Sequence, residues 1–195
     1  MSFYQLLPPP HEQDTHAFWE GGFSESECYR IRTLGDSMAL QQATVGNNTL
    51  DPTTRRSKTS WFALNNDTQW IYDKLGFVAR QLNGQFFGFD ISGFSEDLQY
   101  TIYESTDQGH YDYHMDSGYD RNRPPRKLSL SLQLSSPDEY EGGDLELLTG
   151  REPIVAKKEL GVVYAFPSYI LHRVTPVTKG TRRSLVVWLC GNRFR

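Results

Sequence analysis

The sequence predicts a mainly β protein in which two N-terminal helices buttress a barrel or sandwich of short strands. Three observations carry this. Two stretches before residue 83 place apolar residues three and four apart, the helical spacing. From Leu98 onward the chain breaks into short alternating or β-branched runs separated by Gly and Pro. The order, helices first and many strands afterwards, is that of helices laid on one side of a β core, and a jelly-roll barrel fits the number of strands.

Taken in order, Pro8-Pro9-Pro10 makes an extended lead-in, and Phe18 to Phe23 is a short strand and turn. Ser24 opens the first helix, with Glu27 completing a capping box, and Cys28, Ile31, Leu34 and Met38 form its apolar stripe. Residues 43–58 are polar and without a period, so they read as a long loop able to serve as a substrate lid. Ser60–Leu64 is a strand. Asp67 is placed to cap a second helix carrying Trp70, Ile71, Leu75, Val78 and Leu82, with Gly84 as its stop. Phe86 to Phe94 is loop or short strand. The strands then expected are Leu98–Ser105, Tyr111–Asp116, Lys127–Ser135, Asp144–Thr149, Gly161–Phe166, His172–Val177 and Arg183–Cys190.

With 195 residues the chain is expected to form one domain, 1–195, with helical support over 1–97 and the β core over 98–195. Hydrophobic content of 37% and aromatic content of 13% mark a globular chain. A net charge of −4 with no long run of one sign argues against a nucleic-acid binder that works by neutralising phosphates. Arg121, Arg123, Arg126 and Lys127 read as a solvated loop. No apolar run approaches membrane-spanning length, and the N-terminus lacks the basic start and long apolar run of a signal peptide. Two cysteines, Cys28 and Cys190, without zinc spacing suit a reducing, cytoplasmic setting.

The chemistry centres on Tyr103 to Gly118, and within it on His114-Met115-Asp116. Residues two apart on a strand share a face, so His114 and Asp116 can grip one metal ion together. Two histidines and one carboxylate hold Fe(II) on one side of an octahedron and leave positions open for O2. Among the other histidines, His11 and His16 lie in the lead-in, and His110 sits four residues from His114, too far along a strand to join the same shell. His172, opening a later strand, is the remaining candidate. Lys179-Gly180 then reads as a turn, and the strand beyond it, expected to run beside that of His172, puts Arg182, ten residues after His172, and Ser184 on one face, where an arginine fork and a hydroxyl can hold a carboxylate.

With Tyr103, Gly109, His114-x-Asp116, Glu141-Gly142-Gly143-Asp144-Leu145, His172-x3-Pro176-Val177, Gly180, Arg182-x-Ser184 and Trp188 in this order, the chain resembles the Fe(II)- and 2-oxoglutarate-dependent dioxygenases, most of all the prolyl-4-hydroxylase branch and its bacterial or phage relatives. The resemblance covers residues 98–195. It implies a double-stranded β-helix (jelly-roll, cupin-like) core, His114, Asp116 and His172 as iron ligands, and Arg182 with Ser184 on the distal carboxylate of 2-oxoglutarate. Tyr103 would face the cosubstrate and Trp188 would pack near it. Where some prolyl hydroxylases have a tyrosine on the strand before Gly-Gly, this chain has Gln133 as the nearest equivalent. The implied cofactors are Fe(II), 2-oxoglutarate and O2, with ascorbate as a reductant. The implied reaction hydroxylates a C–H bond, of a protein side chain such as prolyl or of a small metabolite, and releases succinate and CO2.

Two other readings use the same residues. A zinc-type metallohydrolase would need a general base beside the metal, for which Glu104 and Asp112 are candidates, and gives Arg182 and Ser184 no role. A non-catalytic jelly-roll binding module has no use for three metal ligands.

Overall fold

The computed structural model describes residues 14–46, 49–118 and 124–192. The Pro8-Pro9-Pro10 lead-in with His11, and Arg121 and Arg123, lie outside the described residues.

The chain forms β1 (Ala17–Trp19), α1 (Glu25–Ser37), β2 (Gln41–Gln42), β3 (Arg55–Arg56), β4 (Lys58–Phe62) and α2 (Gln69–Leu82), then β5 (Gly93–Phe94), β6 (Leu98–Glu104) and β7 (His110–His114). It continues through β8 (Arg126–Gln133), β9 (Tyr140–Gly142), β10 (Leu145–Leu148), β11 (Ile154–Val155), β12 (Val163–Pro167), β13 (Leu171–Val174) and β14 (Val177–Cys190). A large sheet runs β1-β12-β8-β14-β6-β4-β2, with β5 and β9 also paired to β14, and a second sheet runs β11-β10-β13-β7-β3. This is the jelly-roll core with two helices against it. The first 97 residues add strands as well as helices, since β1 pairs with β12 and β4 with β6.

Alternation along the central strands explains the layering. In β8 the leucines Leu128, Leu130 and Leu132 face the helices, where each is fully buried and contributes roughly 1.5–3 kcal/mol. Ile71, Leu75, Val78 and Leu82 of α2 and Cys28 and Ile31 of α1 meet them there. The intervening Ser129, Ser131 and Gln133 are just as buried but polar. Such a face is unfavourable in a plain core, and it lies toward the other sheet, where Gln99, Tyr103, Arg182, Ser184 and Trp188 join Ser131 around a cleft.

The helices start and stop partly where expected. Ser24 accepts from the Glu27 backbone N–H and Glu27 reaches back to the Ser24 N–H, the full capping box. Asp67 is not the cap of α2. Thr68 occupies that position, and it is Asn65 Oδ1 that accepts from the N–H groups of Asp67 and Thr68. Gly84 does not stop the helix either. The chain widens into a π-turn over Asn83–Phe87 and ends at Gly88, which has φ of 65°.

Among its described residues the expected loop over 43–58 holds a bridge, a turn and short strand segments. Thr49 and Val45 form a bridge, Asp51 closes a turn by accepting from Thr53 and Thr54, and β3 and the first residue of β4 occupy its end. Its polar sequence hid strands that are too short to show a period.

Lys179-Gly180 is not a hairpin turn. Gly180 takes φ of 70° inside one continuous strand, β14, which pairs first with β9 and then with β6 and β8. A Cβ there would stand 1.9 Å from the Glu139 carbonyl oxygen, so only glycine lets the strand turn this corner.

Candidate metal centre and cosubstrate cleft

His114 and His172 face each other as a cross-strand pair of β7 and β13. Two residues further along this pairing, at Val174 and Tyr111, the register has shifted, so that Asp112 and Tyr113 together oppose Arg173. This bulge puts Tyr111 and His114, three apart, on one face, and their rings stack with centroids 3.5 Å apart. Asp116 lies beyond the end of β7 rather than in the strand, so strand alternation does not bring it beside His114. The chain bends after His114, and the buried Ser129 hydroxyl donates to Asp116 Oδ2 at 2.7 Å while itself contacting Ser168 Oγ at 3.0 Å.

The ligand atoms of His114, Asp116 and His172 lie within 4.8 Å of one another. Nε2 of His114 is 3.7 Å from one Asp116 oxygen and Nε2 of His172 is 3.5 Å from the other. Each histidine places Nδ1 against a backbone carbonyl two residues earlier, Asp112 O at 2.8 Å and Ile170 O at 2.9 Å. A carbonyl only accepts, so Nδ1 carries the proton and Nε2 presents its lone pair to the centre. Burial pushes His114 down to about 4, with the neighbouring His172 adding to the shift. Burial alone would raise the Asp116 carboxyl, but His172, His114 and Ser129 hold it below its ordinary value. One carboxylate and two imidazoles converging in this way fit a divalent iron.

The three residues open into a cleft of about 640 Å³ that also holds Tyr103, Arg182, Ser184 and Trp188. Arg182 does not approach from a strand beside His172, as the sequence suggested. It projects from the opposite sheet, across the interior. Arg182 is 1% exposed. Nη2 donates to Gln133 Oε1 at 3.0 Å and Nη1 to Ser184 Oγ at 3.4 Å. Its carbon sits 5.4 Å from the Tyr103 ring centre, and its Nε–H has no partner. No carboxylate pairs with it among the described residues. A buried cation with a free donor, held only by neutral groups, fits a site for the carboxylate of a cosubstrate. Arg183 points the other way, to Asp36 at 3.3 Å.

Several cleft residues escape a reading from sequence. Arg126, expected in a solvated loop, is clamped to Glu96 by bonds of 2.7 and 2.6 Å and lies 3.7 Å over the Trp188 ring, and Lys127 is buried. Arg55, Gln99 and Tyr111 also line the cleft. The polar alternation of Gln99, Thr101 and Tyr103 on β6 is a signal for an inward polar face; Arg55 has no comparable signal. The two bases considered for a hydrolase are elsewhere: Glu104 pairs with Lys58, and Asp112 is exposed with a carboxylate oxygen on the Tyr113 N–H. His110 is held by Thr53 and Gln108 carbonyls, away from the centre.

Residues 98–190 match the model of the 2OG-Fe(II) oxygenase superfamily. A PKHD-type hydroxylase of Teredinibacter turnerae is 38% identical over 85 residues, which are 42% of this chain and 38% of that protein. One from Synechococcus is 36% identical over 91 residues, 47% of this chain and 41% of that protein. The matched region thus spans less than half the length of these relatives. A Pseudomonas putida prolyl-4-hydroxylase superposes with a TM-score of 0.71 at 17% identity, covering 92% of this chain and 94% of that one. A Trichoplax adhaerens prolyl hydroxylase, solved with a peptide fragment of the hypoxia inducible factor oxygen degradation domain, gives 0.74 at 16% identity over 90% and 83%. At these identities the structures speak for the fold, and the sequence matches speak for the half of the chain that carries the cleft. Over residues 98–190 the chain is similar to the 2OG-Fe(II) oxygenase superfamily and to PKHD-type hydroxylases, and its fold is that of the prolyl hydroxylases.

Proposed function

We propose that the protein is an Fe(II)- and 2-oxoglutarate-dependent dioxygenase that hydroxylates a C–H bond of a protein side chain or a small molecule. The observation that carries this is one cleft containing both a two-histidine, one-carboxylate set and a buried arginine without an anionic partner among the described residues.

In this reading His114, Asp116 and His172 hold iron, and Arg182 takes the far carboxylate of 2-oxoglutarate through its fork. Bound together, iron and 2-oxoglutarate supply activation of O2, with decarboxylation to succinate and CO2 coupled to hydroxylation. The protein's share is placement. Ser129 fixes the Asp116 carboxylate, the Asp112 and Ile170 carbonyls fix the two imidazoles, and Gln133 and Ser184 hold the Arg182 fork in plane. Phe166, 4.6 Å from the His172 ring, and Tyr111 on His114 shield the ligand side from water. We infer that the whole chain works as one domain, because strands from both halves share the sheet that bears Arg182. The free, buried Cys28 and Cys190 support a cytoplasmic setting, and no helix among the described residues is long and apolar enough to cross a membrane. The relatives' names support hydroxylation, with prolyl residues of peptides as one candidate substrate. The test is incubation of a cell lysate with the protein, Fe(II) and 2-oxoglutarate, followed by mass spectrometry. Products that gain one oxygen only when both are present support the reading, and their absence counts against it.

A further inference from the structure

Among the described residues three arginines line the cleft: Arg55, Arg126 and Arg182. Arg126 is neutralised by Glu96. Arg55 and Arg182 have no carboxylate within ion-pair distance among the described residues, and the two are framed alike. Arg182 donates to a serine two residues on, Ser184, and to a glutamine of a neighbouring strand, Gln133, and it lies over a tyrosine ring, Tyr103. Arg55 donates from Nε to a serine two residues on, Ser57, at 2.9 Å, and from Nη2 to a glutamine, Gln99, at 3.0 Å. It lies 4.5 Å over the Tyr111 ring. Among the described residues its one other contact is the Thr44 carbonyl at 3.5 Å. Three contacts leave two of the five guanidinium N–H donors unused.

Arg55 is 9% exposed, and burying a cation without a counter-charge is costly. Hydroxyl, amide and ring fix the fork without neutralising it, which leaves its charge for something that enters the cleft. Its direction is set by register. Arg55 is the cross-strand partner of Tyr111, and Tyr111 shares its face with His114. Arg55 therefore stands on the sheet that bears the two histidines, while Arg182 reaches in from the opposite sheet.

We propose that Arg55 binds a carboxylate of the primary substrate, so that this substrate is a carboxylic acid. The proposal rests on the reading that Arg182 takes 2-oxoglutarate, which leaves the second fork for the second substrate. A single planar fork matches one carboxylate in charge and geometry. The carboxylate can belong to a free amino acid or to the C-terminus of a peptide, and one experiment separates these sources.

The experiment is calorimetric titration of the full chain loaded with Mn(II), which reads binding without turnover. Affinity for 2-oxoglutarate is measured first. With 2-oxoglutarate saturating, the panel is the free L-amino acids and short proline-containing peptides, each as the acid and as its C-terminal amide. At least one acid is expected to bind, with its amide weaker by roughly 30-fold or more. Arg55→Gln should weaken that acid to the level of its amide and leave 2-oxoglutarate affinity unchanged. Arg55→Lys, which keeps the charge and loses the fork, should fall between. A free amino acid or a peptide as the responding ligand identifies the source. Amides that bind as tightly as acids, a panel with no binding acid, or an Arg55→Gln loss that falls equally on 2-oxoglutarate would each overturn the proposal. The acid–amide comparison needs no variant, so misfolding of Arg55→Gln does not decide it. A wild-type protein that binds no 2-oxoglutarate would instead overturn the reading beneath it.

Discussion

His114 and His172 stand directly opposite each other on neighbouring antiparallel strands, with ring centroids 4.1 Å apart and both Nε2 atoms turned toward Asp116. A cross-strand pair of imidazoles, each anchored at Nδ1 by a carbonyl, has both rings oriented by the fold itself. His114→Ala, Asp116→Ala and His172→Ala are each expected to abolish stoichiometric Fe(II) binding while preserving the circular dichroism spectrum. Full metal occupancy in the His172 variant would remove it from the ligand set.

Ser129 tests the layer behind the ligands. Its hydroxyl donates to Asp116 Oδ2, and removing it frees the carboxylate to rotate. Ser129→Ala should weaken Fe(II) binding roughly 10–100-fold, the range for lost outer partners of metal ligands. An unchanged titration would show that Asp116 is held by other groups.

Arg182 and Arg183 form a paired test of strand register. Arg182→Ala should raise the 2-oxoglutarate Kd roughly 30-fold to several thousand-fold, since removing one member of a buried charge pair costs about 2–5 kcal/mol. Arg182→Lys should be intermediate. Arg183 holds Asp36, which also accepts from the Tyr100 hydroxyl, so Arg183→Ala should cost at most about 1 kcal/mol of stability and leave the Kd alone. The reverse pattern in a binding titration would assign cosubstrate binding to the wrong face of β14.

Gly143 is the point where backbone shape meets the arginine. Its φ is 61°, and a Cβ there would stand 2.9 Å from Val177 Cγ2 and 3.1 Å from Arg182 Cδ. Gly143→Ala should cost about 1–3 kcal/mol in urea unfolding and also weaken 2-oxoglutarate several-fold by displacing the arginine stem. Gly150, with open space around its Cβ position, is the control and should change stability by less than about 0.5 kcal/mol on substitution by Ala. Equal effects at both positions would contradict the packing argument.

The sequence carried the core strands and the ligand pattern because both are periodic or spaced. The alternating leucines of β8, the capping box at Ser24 and the order His114, Asp116, His172, Arg182 are each local signals. What it concealed depends on contacts between distant segments. The bulge that turns Tyr111 beside His114 exists only in the pairing with β13. Arg55 sits in a two-residue strand, too short for a period, and its place in the cleft is set by Tyr111 and Gln99. Likewise Thr68 takes the cap position expected of Asp67, because Asn65 Oδ1 accepts from the N–H groups of Asp67 and Thr68 and closes a turn ahead of the helix. Gly180 resembles a hairpin turn locally, and only the long pairing of β14 shows that the strand continues through it.

Succinate formed from 2-oxoglutarate under air is the measurement closest to the central claim. It is compared for wild type with Fe(II), wild type with Zn(II), and Asp116→Ala with Fe(II). We predict succinate only from wild type with Fe(II), rising when a true substrate is added. Wild type that consumes no 2-oxoglutarate with Fe(II), or an Asp116→Ala variant that forms succinate at the wild-type rate, would contradict the assignment of this cleft.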